Sequence, residues 1–278
     1  MPGGEIILTY KGAHDLQLTS NPELSFFKAV YKRHTPFSSQ IIPLNEDSVT
    51  NTLSSFTNDI TIKYKIPRNG DLLRSMHLVL DLPSIYSSDS KKFQWIRHLG
   101  EFIIKDARII GGDSRVYHHL TGEYLHIYNS LNYSHQRQEC YDELMGHLPE
   151  MYDPANGPGA GGFYPASTLP DSGSDTEVRV PSIRGRQLVI PLPFFFNHHL
   201  GTSLPLVALQ RMELRCEITL RPLNEWYTVL DTDPQSDTFQ TRIRPSGSSD
   251  TLNNFTTVTT TNTLDTVKVY AYGDYIFL

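Results

Sequence analysis

The chain has 278 residues, of which 38% are hydrophobic and 19% are charged, and this composition excludes a disordered, collagen-like or coiled-coil protein. Its formal net charge of -6 argues against a protein that coats duplex nucleic acid. The two cysteines, Cys140 and Cys216, are too few for a disulfide framework, which favours folding in a reducing compartment.

The first predicted element is a short helix over residues 22–33. Pro22 fits the first helical position, where no amide donor is needed, and Pro36 brings the helix to an end. The helix carries the only concentrated basic cluster of the sequence, which consists of Lys28, Lys32 and Arg33. Two interpretations of this cluster are open: a solvated helix face, or an inner face that meets an anionic partner such as lipid or nucleic acid.

Much of the chain between residues 37 and 222 is predicted to form β-strands, because apolar and polar residues alternate with a period of two. The clearest example is residues 211–220, whose apolar set is Met212, Leu214, Cys216, Ile218 and Leu220. Further strands are predicted at residues 37–46, 60–66, 76–82, 101–110, 186–192 and 265–272. Many short strands separated by turns favour an antiparallel sandwich or barrel.

Two helical segments and one long loop interrupt these strands. Apolar residues at helical spacing predict a helix within residues 118–131, and residues 135–145 are predicted to form a second one. Residues 147–181 are rich in Pro, Gly, Ser and Asp, which predicts a long loop that either forms functional surface or is mobile. After residue 221 the sequence becomes polar and threonine-rich, which predicts a domain boundary near residues 221–224.

The residues give little support to an enzyme, and neither a cofactor nor a metal site is expected. The sequence contains neither a G-x-S-x-G nucleophile motif nor the His-x-His pair that a jelly-roll metalloenzyme places on a strand. A candidate metal site consists of His119, Glu123 and His126, which a helix would place on one flank at i, i+4 and i+7. The alternative interpretation of these residues is a polar flank beside the apolar stripe of the same helix.

Three segments carry motifs of higher specificity. In residues 188–220 an Ile-Pro-Leu strand leads into Phe194-Phe195-Phe196, then Gly, Leu-Pro-Leu and Ala-Leu-Gln. Residues 18–37 contain Asn-Pro, Phe-Phe-Lys and Tyr-Lys-Arg-His-Thr, and residues 102–131 contain a Gly-Gly turn followed by a helical pattern. In this order the segments resemble the major capsid proteins of nucleocytoplasmic large DNA viruses, with Lys32 in place of the usual Arg.

The resemblance implies an all-β fold, in which an eight-stranded antiparallel jelly-roll sandwich with short helical insertions is followed by an incomplete second jelly roll. It divides the chain into an N-terminal arm with a short helix (residues 1–36), an N-terminal jelly roll (residues 37–222) and a linker with the first strand of a second jelly roll (residues 223–278).

The implied function is that of a non-enzymatic shell protein, which assembles into trimeric pseudo-hexagonal capsomers of a large icosahedral DNA virus. The expected partners are two further copies of the chain, neighbouring capsomers and minor capsid proteins, close to an internal membrane and without direct nucleic-acid binding. The protein would be located in the virion, after assembly inside the host cell. Three alternatives stay open: a minor capsid paralogue, a stand-alone jelly roll that binds glycans or a host surface, and a metal-dependent jelly roll.

Phe194, Phe195 and Phe196 are the candidate assembly seam. Three consecutive aromatic residues cannot all face one core from a strand, since successive side chains point to opposite sides. At least one of them should therefore pack at a seam between barrels or between subunits. The alternative is a tight turn or a helix that buries all three rings internally.

Overall fold

The computed structural model describes residues 36–46, 57–88, 90–167, 180–198, 200–209, 212–246, 250–256 and 267–278. In chain order its strands are β1 (Ser38–Pro43), β2 (Asn45–Glu46), β3 (Ile60–Ile66), β4 (Leu72–Leu82), β5 (Lys91–Trp95), β6 (Ile104–Gly111), β7 (Val116–Thr121), β8 (Arg186–Leu192), β9 (Leu204–Pro205), β10 (Leu214–Leu220), β11 (Tyr227–Asp231), β12 (Arg242–Ile243) and β13 (Lys268–Phe277). The pairings between these strands are antiparallel. The all-β class is therefore confirmed, whereas the number of eight strands in the sandwich stays a prediction.

The first sheet has the strand order β1-β13-β4-β8, and β9 also pairs with β4. Its inner face is apolar because every second residue of a strand points to the same side. In β4 these buried alternating residues are Met76, Leu78, Leu80 and Leu82. Pro191 lies in β8, at the end of this strand order, where a residue without an N–H is tolerated.

The second sheet has the strand order β2-β3-β10-β6-β7, with β10 at its centre. The predicted alternation of β10 is confirmed by its buried residues, which are Leu214, Cys216, Ile218 and Leu220. On the outer face, Lys63 Nζ of β3 lies 3.2 Å from Glu217 Oε1 of β10, and the two residues are directly opposite in the register. The buried faces of both sheets contribute to one hydrophobic core.

A third, smaller sheet has the strand order β12-β11-β5. Its buried side carries aromatic rings from three parts of the chain. The ring of Phe93 stacks on that of Tyr227 with centroids 4.5 Å apart, and it meets the ring of Phe255 at 5.3 Å. The Tyr227 hydroxyl donates a hydrogen bond of 2.7 Å to the carbonyl oxygen of Asp250. These contacts join residues on both sides of the predicted domain boundary.

Ser38–Phe277 form one compact unit, which includes the residues on both sides of the predicted boundary near 221–224. β13 contains the segment that was expected to open a second jelly roll within residues 223–278. It lies instead between β1 and β4 and pairs with both, and its buried residues include Val269, Ala271 and Tyr275. A polar composition therefore marks loops between strands of a single core here, and not a division between two cores.

Short helices connect the strands: α1 (Leu99–Phe102), α2 (Gly122–Asn132), α3 (His135–Leu144), α4 (Pro149–Tyr152) and α5 (Leu252–Thr256). The helix predicted at residues 135–145 matches α3. The helix predicted within residues 118–131 begins later, since its first residues belong to β7 and the Thr121 hydroxyl accepts the backbone N–H of Tyr124 at 3.2 Å. Among the described residues, no helix has the length and apolar character required to cross a bilayer.

The predicted loop at residues 147–181 is only partly a loop. It contains α4 and a 3-10 helix at Pro154–Asn156, and Met151 is buried. The Tyr164 hydroxyl donates a hydrogen bond of 2.6 Å to the carbonyl oxygen of Phe93, which fixes this stretch to the third sheet. Residues 168–179 and the predicted helix at 22–33 lie outside the described residues. The family resemblance implies that the loop lies on the exterior or at a capsomer edge, and this stays a prediction.

Candidate assembly surface

The three consecutive phenylalanines form a tight turn directly after β8. The backbone N–H of Phe194 donates to the carbonyl oxygen of Leu192 at 2.8 Å, and that of Asn197 donates to the carbonyl oxygen of Phe194 at 2.9 Å. Phe194 and Phe196 are fully buried, whereas Phe195 is 41% exposed. The structure thus combines features of both interpretations of this motif, since a turn is present but one ring remains at the surface.

Neighbouring rings hold Phe195 in position. Its ring meets that of Phe196 edge to face at 5.2 Å, and the imidazole of His118 on β7 lies 5.9 Å away. Burial lowers the pKa of His118, and nearby His198 and His119 lower it further, so the imidazole is neutral at pH 7. A partly exposed aromatic ring that is fixed by packing is the kind of group that anchors protein interfaces.

The outer side of α2 is also apolar. Tyr124, Ile127 and Leu131 share one side of the helix at i, i+3 and i+7 and are exposed, with Leu131 at 80%. The inner side of the same helix buries Leu125 and Asn129. The helical pattern in the sequence is therefore real, but three of its apolar residues point away from the core of this subunit.

Helix α2 and the phenylalanine turn are neighbours. The hydroxyl of Tyr128 on α2 lies 3.4 Å from Nδ1 of His198, which follows the turn, and their rings are 6.2 Å apart. We refer to Phe195, Tyr124, Ile127 and Leu131 together as the apolar surface. Exposed apolar groups concentrated in one region are typical of a protein–protein contact site.

Lys28, Lys32 and Arg33, the basic cluster predicted from the sequence, lie outside the described residues. Their role at an inner face of a shell therefore stays a prediction.

The metal trio predicted from the sequence is not assembled. His119 lies on β7 and not on a helix, and its Nε2 is 3.6 Å from Asp106 Oδ2. Glu123 forms an ion pair with Arg221. β7 extends to Thr121, so the first residue of this candidate trio precedes the helix. The third residue, His126, instead contacts Glu101 and lies close to His98, a grouping that the sequence analysis did not find.

The comparison with known families decides the identity of the fold. The family model described as the major capsid protein N-terminus matches residues 25–278. The chain belongs to this family. The family resemblance inferred from the three sequence segments is thereby confirmed, and the related proteins are structural capsid proteins and not enzymes.

Two members of the major capsid protein family are 30–32% identical to this chain over the aligned segments. Probable capsid protein 4 of Acanthamoeba polyphaga mimivirus is 32% identical over 238 residues, which cover 82% of this chain and 40% of that protein. The major capsid protein of Phaeocystis pouchetii virus is 30% identical over 236 residues, which cover 81% and 42% respectively. The chain therefore spans less than half the length of these relatives.

Solved capsid protein structures share the fold of this family member. The crystal structure of PBCV-1 VP54, fitted into a cryo-EM reconstruction of the virophage Sputnik, matches 91% of this chain and 45% of its own with a TM-score of 0.55 and 19% identity. The Faustovirus major capsid protein matches 92% of this chain and 57% of its own, also with a TM-score of 0.55, at 10% identity. These structures are double jelly-roll capsid proteins, which agrees with the predicted jelly-roll class.

Proposed function

We propose that the chain forms a jelly roll of a major capsid protein and serves as a structural component of the icosahedral shell of a large DNA virus. The observation that carries this proposal is the family match over residues 25–278. The proposed location is the virion, with assembly inside the host cell. The proposed assembly unit is a trimeric capsomer that contacts neighbouring capsomers, minor capsid proteins and the vicinity of an internal membrane.

The apolar surface is the proposed contact between copies. Aromatic side chains have about 150–250 Å² to bury, so covering the 41% of Phe195 that is exposed removes about 60–100 Å² from water. At about 25 cal/mol per Å², this burial stabilises each contact by about 2 kcal/mol. That range of burial corresponds to an association constant about 10- to 70-fold larger for each contact. A single ring can therefore have a measurable effect on assembly.

The experiment compares Phe195→Ala with Phe239→Ala, because Phe239 is the same residue type and is 42% exposed elsewhere on the subunit. Analytical ultracentrifugation of the purified protein should show a trimer for the wild type and for F239A. For F195A, the affinity of each contact should be about 10- to 70-fold lower, so the trimer should dissociate at a higher protein concentration. Thermal unfolding at a protein concentration below the dissociation constant measures the monomer. The two variants should then have similar melting temperatures, since each removes a partly exposed ring.

If F195A and F239A had the same dissociation constant, the apolar surface would not be the contact between copies. A wild-type protein that remains a monomer at all concentrations and binds glycans would favour the stand-alone binding module instead. A protein that joins shells only in the presence of another capsid protein would favour the minor capsid paralogue.

A further inference from the structure

A buried carboxylate lies between α1 and α2. Glu101 on α1 is only 2% exposed, and its Oε2 is 2.6 Å from Nδ1 of His126 on α2 and 3.7 Å from Nδ1 of His98. The two imidazoles are partly exposed, so the group opens toward solvent on their side. A carboxylate at such depth requires a compensating positive charge or several hydrogen bonds. Among the described residues, its partners at ion-pair distance are these two imidazoles.

Other side chains hold the carboxylate and one imidazole in place. Asn129 donates a hydrogen bond of 3.2 Å to Glu101 Oε1 and contacts the Tyr141 hydroxyl, which also hydrogen-bonds to Glu101. The backbone N–H of His98 donates to Nδ1 of His147 at 3.3 Å, and the two rings stack at 3.8 Å. Oriented ligands of this kind are typical of metal sites, where partners outside the ligand set fix the geometry.

The positions of the three side chains suit a small cation. Their ligand atoms all lie within 4.8 Å of one another. A tetrahedral zinc ion with ligands at about 2.0–2.2 Å has ligand atoms about 3.4 Å apart. The separations of 2.6 and 3.7 Å lie on either side of this value, so small movements of the partly exposed imidazoles would complete the geometry.

We propose that His98, Glu101 and His126 bind a divalent transition-metal ion, with zinc as the best match for two imidazoles and one carboxylate. The ion supplies the positive charge that the buried carboxylate lacks, and it fastens α1 to α2. His98 supports this role through its backbone, since it adopts a left-handed conformation with φ of 51°, which is uncommon for a residue with a side chain and is concentrated at binding sites.

The first test measures zinc binding directly. The purified protein is freed of metal with a chelator and titrated with zinc chloride, and bound zinc is counted by mass spectrometry. One zinc ion per chain is expected, with a rise in melting temperature of at least about 5 °C at a zinc concentration a hundred times the dissociation constant. Cobalt(II) in place of zinc should give the absorption spectrum of a site with three protein ligands.

Variants identify the ligands. His98→Gln and His126→Gln should each weaken zinc binding at least about 10-fold and abolish the rise in melting temperature. Glu101→Gln keeps the size of the side chain and one acceptor oxygen but removes the negative charge, and it should also lose zinc. The matched controls are His119→Gln and His135→Gln, which change exposed imidazoles outside the group and should bind zinc like the wild type.

Two results would overturn the proposal. One is that the wild-type protein binds no stoichiometric zinc. The group would then be a structural hydrogen bond between Glu101 and His126 and not a metal site. The other is equal loss of zinc in the controls and in the ligand variants, which would show that the many histidines of the chain bind zinc nonspecifically.

Discussion

The stacked rings of Phe93 and Tyr227 allow a sharp test of whether the segment after Pro222 folds with the rest of the chain. Both rings are fully buried, with centroids 4.5 Å apart and an interplanar angle of 21°. Replacing either ring by leucine should lower the free energy of unfolding by about 1–3 kcal/mol. Tyr227→Leu also removes the hydrogen bond to Asp250, which contributes about 0.5–1.5 kcal/mol.

A double-mutant cycle isolates the contact between the two rings. The cost of the lost hydroxyl occurs in both the single and the double variant, so it cancels in the coupling free energy. The remaining coupling should be about 0.5–1.5 kcal/mol, as for other aromatic pairs. Urea unfolding followed by tryptophan fluorescence measures it, because Trp95 and Trp226 are buried and the ring of Trp95 is 4.9 Å from that of Phe93.

Phe239→Leu is the control for this cycle, since it changes an exposed ring in the same part of the chain and should alter stability by no more than about 0.5 kcal/mol. A coupling below about 0.3 kcal/mol between Phe93 and Tyr227, or two separate unfolding transitions, would refute the single-core interpretation and restore the domain boundary at residues 221–224.

Three further variants test other contacts by thermal or urea unfolding. Phe196→Ala should lower the free energy of unfolding by about 3–5 kcal/mol, because this ring is fully buried. If F196A lost no more stability than F195A, the geometry of the turn would be contradicted. Gly122→Ala should destabilise by about 1–3 kcal/mol or more, since its Cβ would lie 2.3 Å from the Ile104 carbonyl oxygen; a neutral effect would be inconsistent with this packing. Asp231→Asn tests a pH dependence: hydrogen bonds from Ser236, Thr238 and the backbone lower the pKa of Asp231 to about 2. The stabilising effect of this carboxylate should be constant above about pH 4 and disappear as the pH falls toward 2, so a wild-type advantage that grows on acidification would refute it.

The strands were the most predictable part of the fold. The predicted ranges 60–66 and 186–192 coincide with β3 and β8, because a strand with one buried face leaves a period-two pattern in the sequence. Pro191 is compatible with the strand at 186–192, because β8 lies at the edge of its sheet, where a residue without a backbone N–H is tolerated. The short strands β5 and β11 are not among the predicted strands, although Phe93 and Trp95 of β5 show the same alternation.

The sheet that a strand joins could not be predicted from its own residues. The strand at residues 265–272 was expected and exists within β13, but its pairing with β1 and β4 depends on contacts between residues about 200 positions apart. Local alternation records which side of a strand is buried and contains no information about its partner. The family resemblance implies a jelly roll and assigns this strand to a second barrel, whereas the structure pairs it with strands of the first sheet.

The sequence also does not predict whether the apolar face of a helix points toward the core or toward solvent. The spacing of Tyr124, Ile127 and Leu131 shows that they share a face, and an apolar face is usually a core face. The structure turns this face outward and buries Leu125 and Asn129 instead. For a protein that assembles, an outward apolar face has a use, because a second copy can cover it. The group of His98, Glu101 and His126 was unpredictable for a related reason, since tertiary packing alone brings α1 and α2 together.

The two proposals use opposite sides of one helix, and this makes them separable. His126 and Asn129 of α2 face Glu101, whereas Ile127 and Leu131 of the same helix belong to the apolar surface. Phe195→Ala should therefore weaken assembly without changing zinc binding. His126→Gln should abolish zinc binding and affect assembly only as far as it loosens α2. If both variants changed both properties equally, α2 would be acting as one cooperative unit, and neither function could be assigned to a single face.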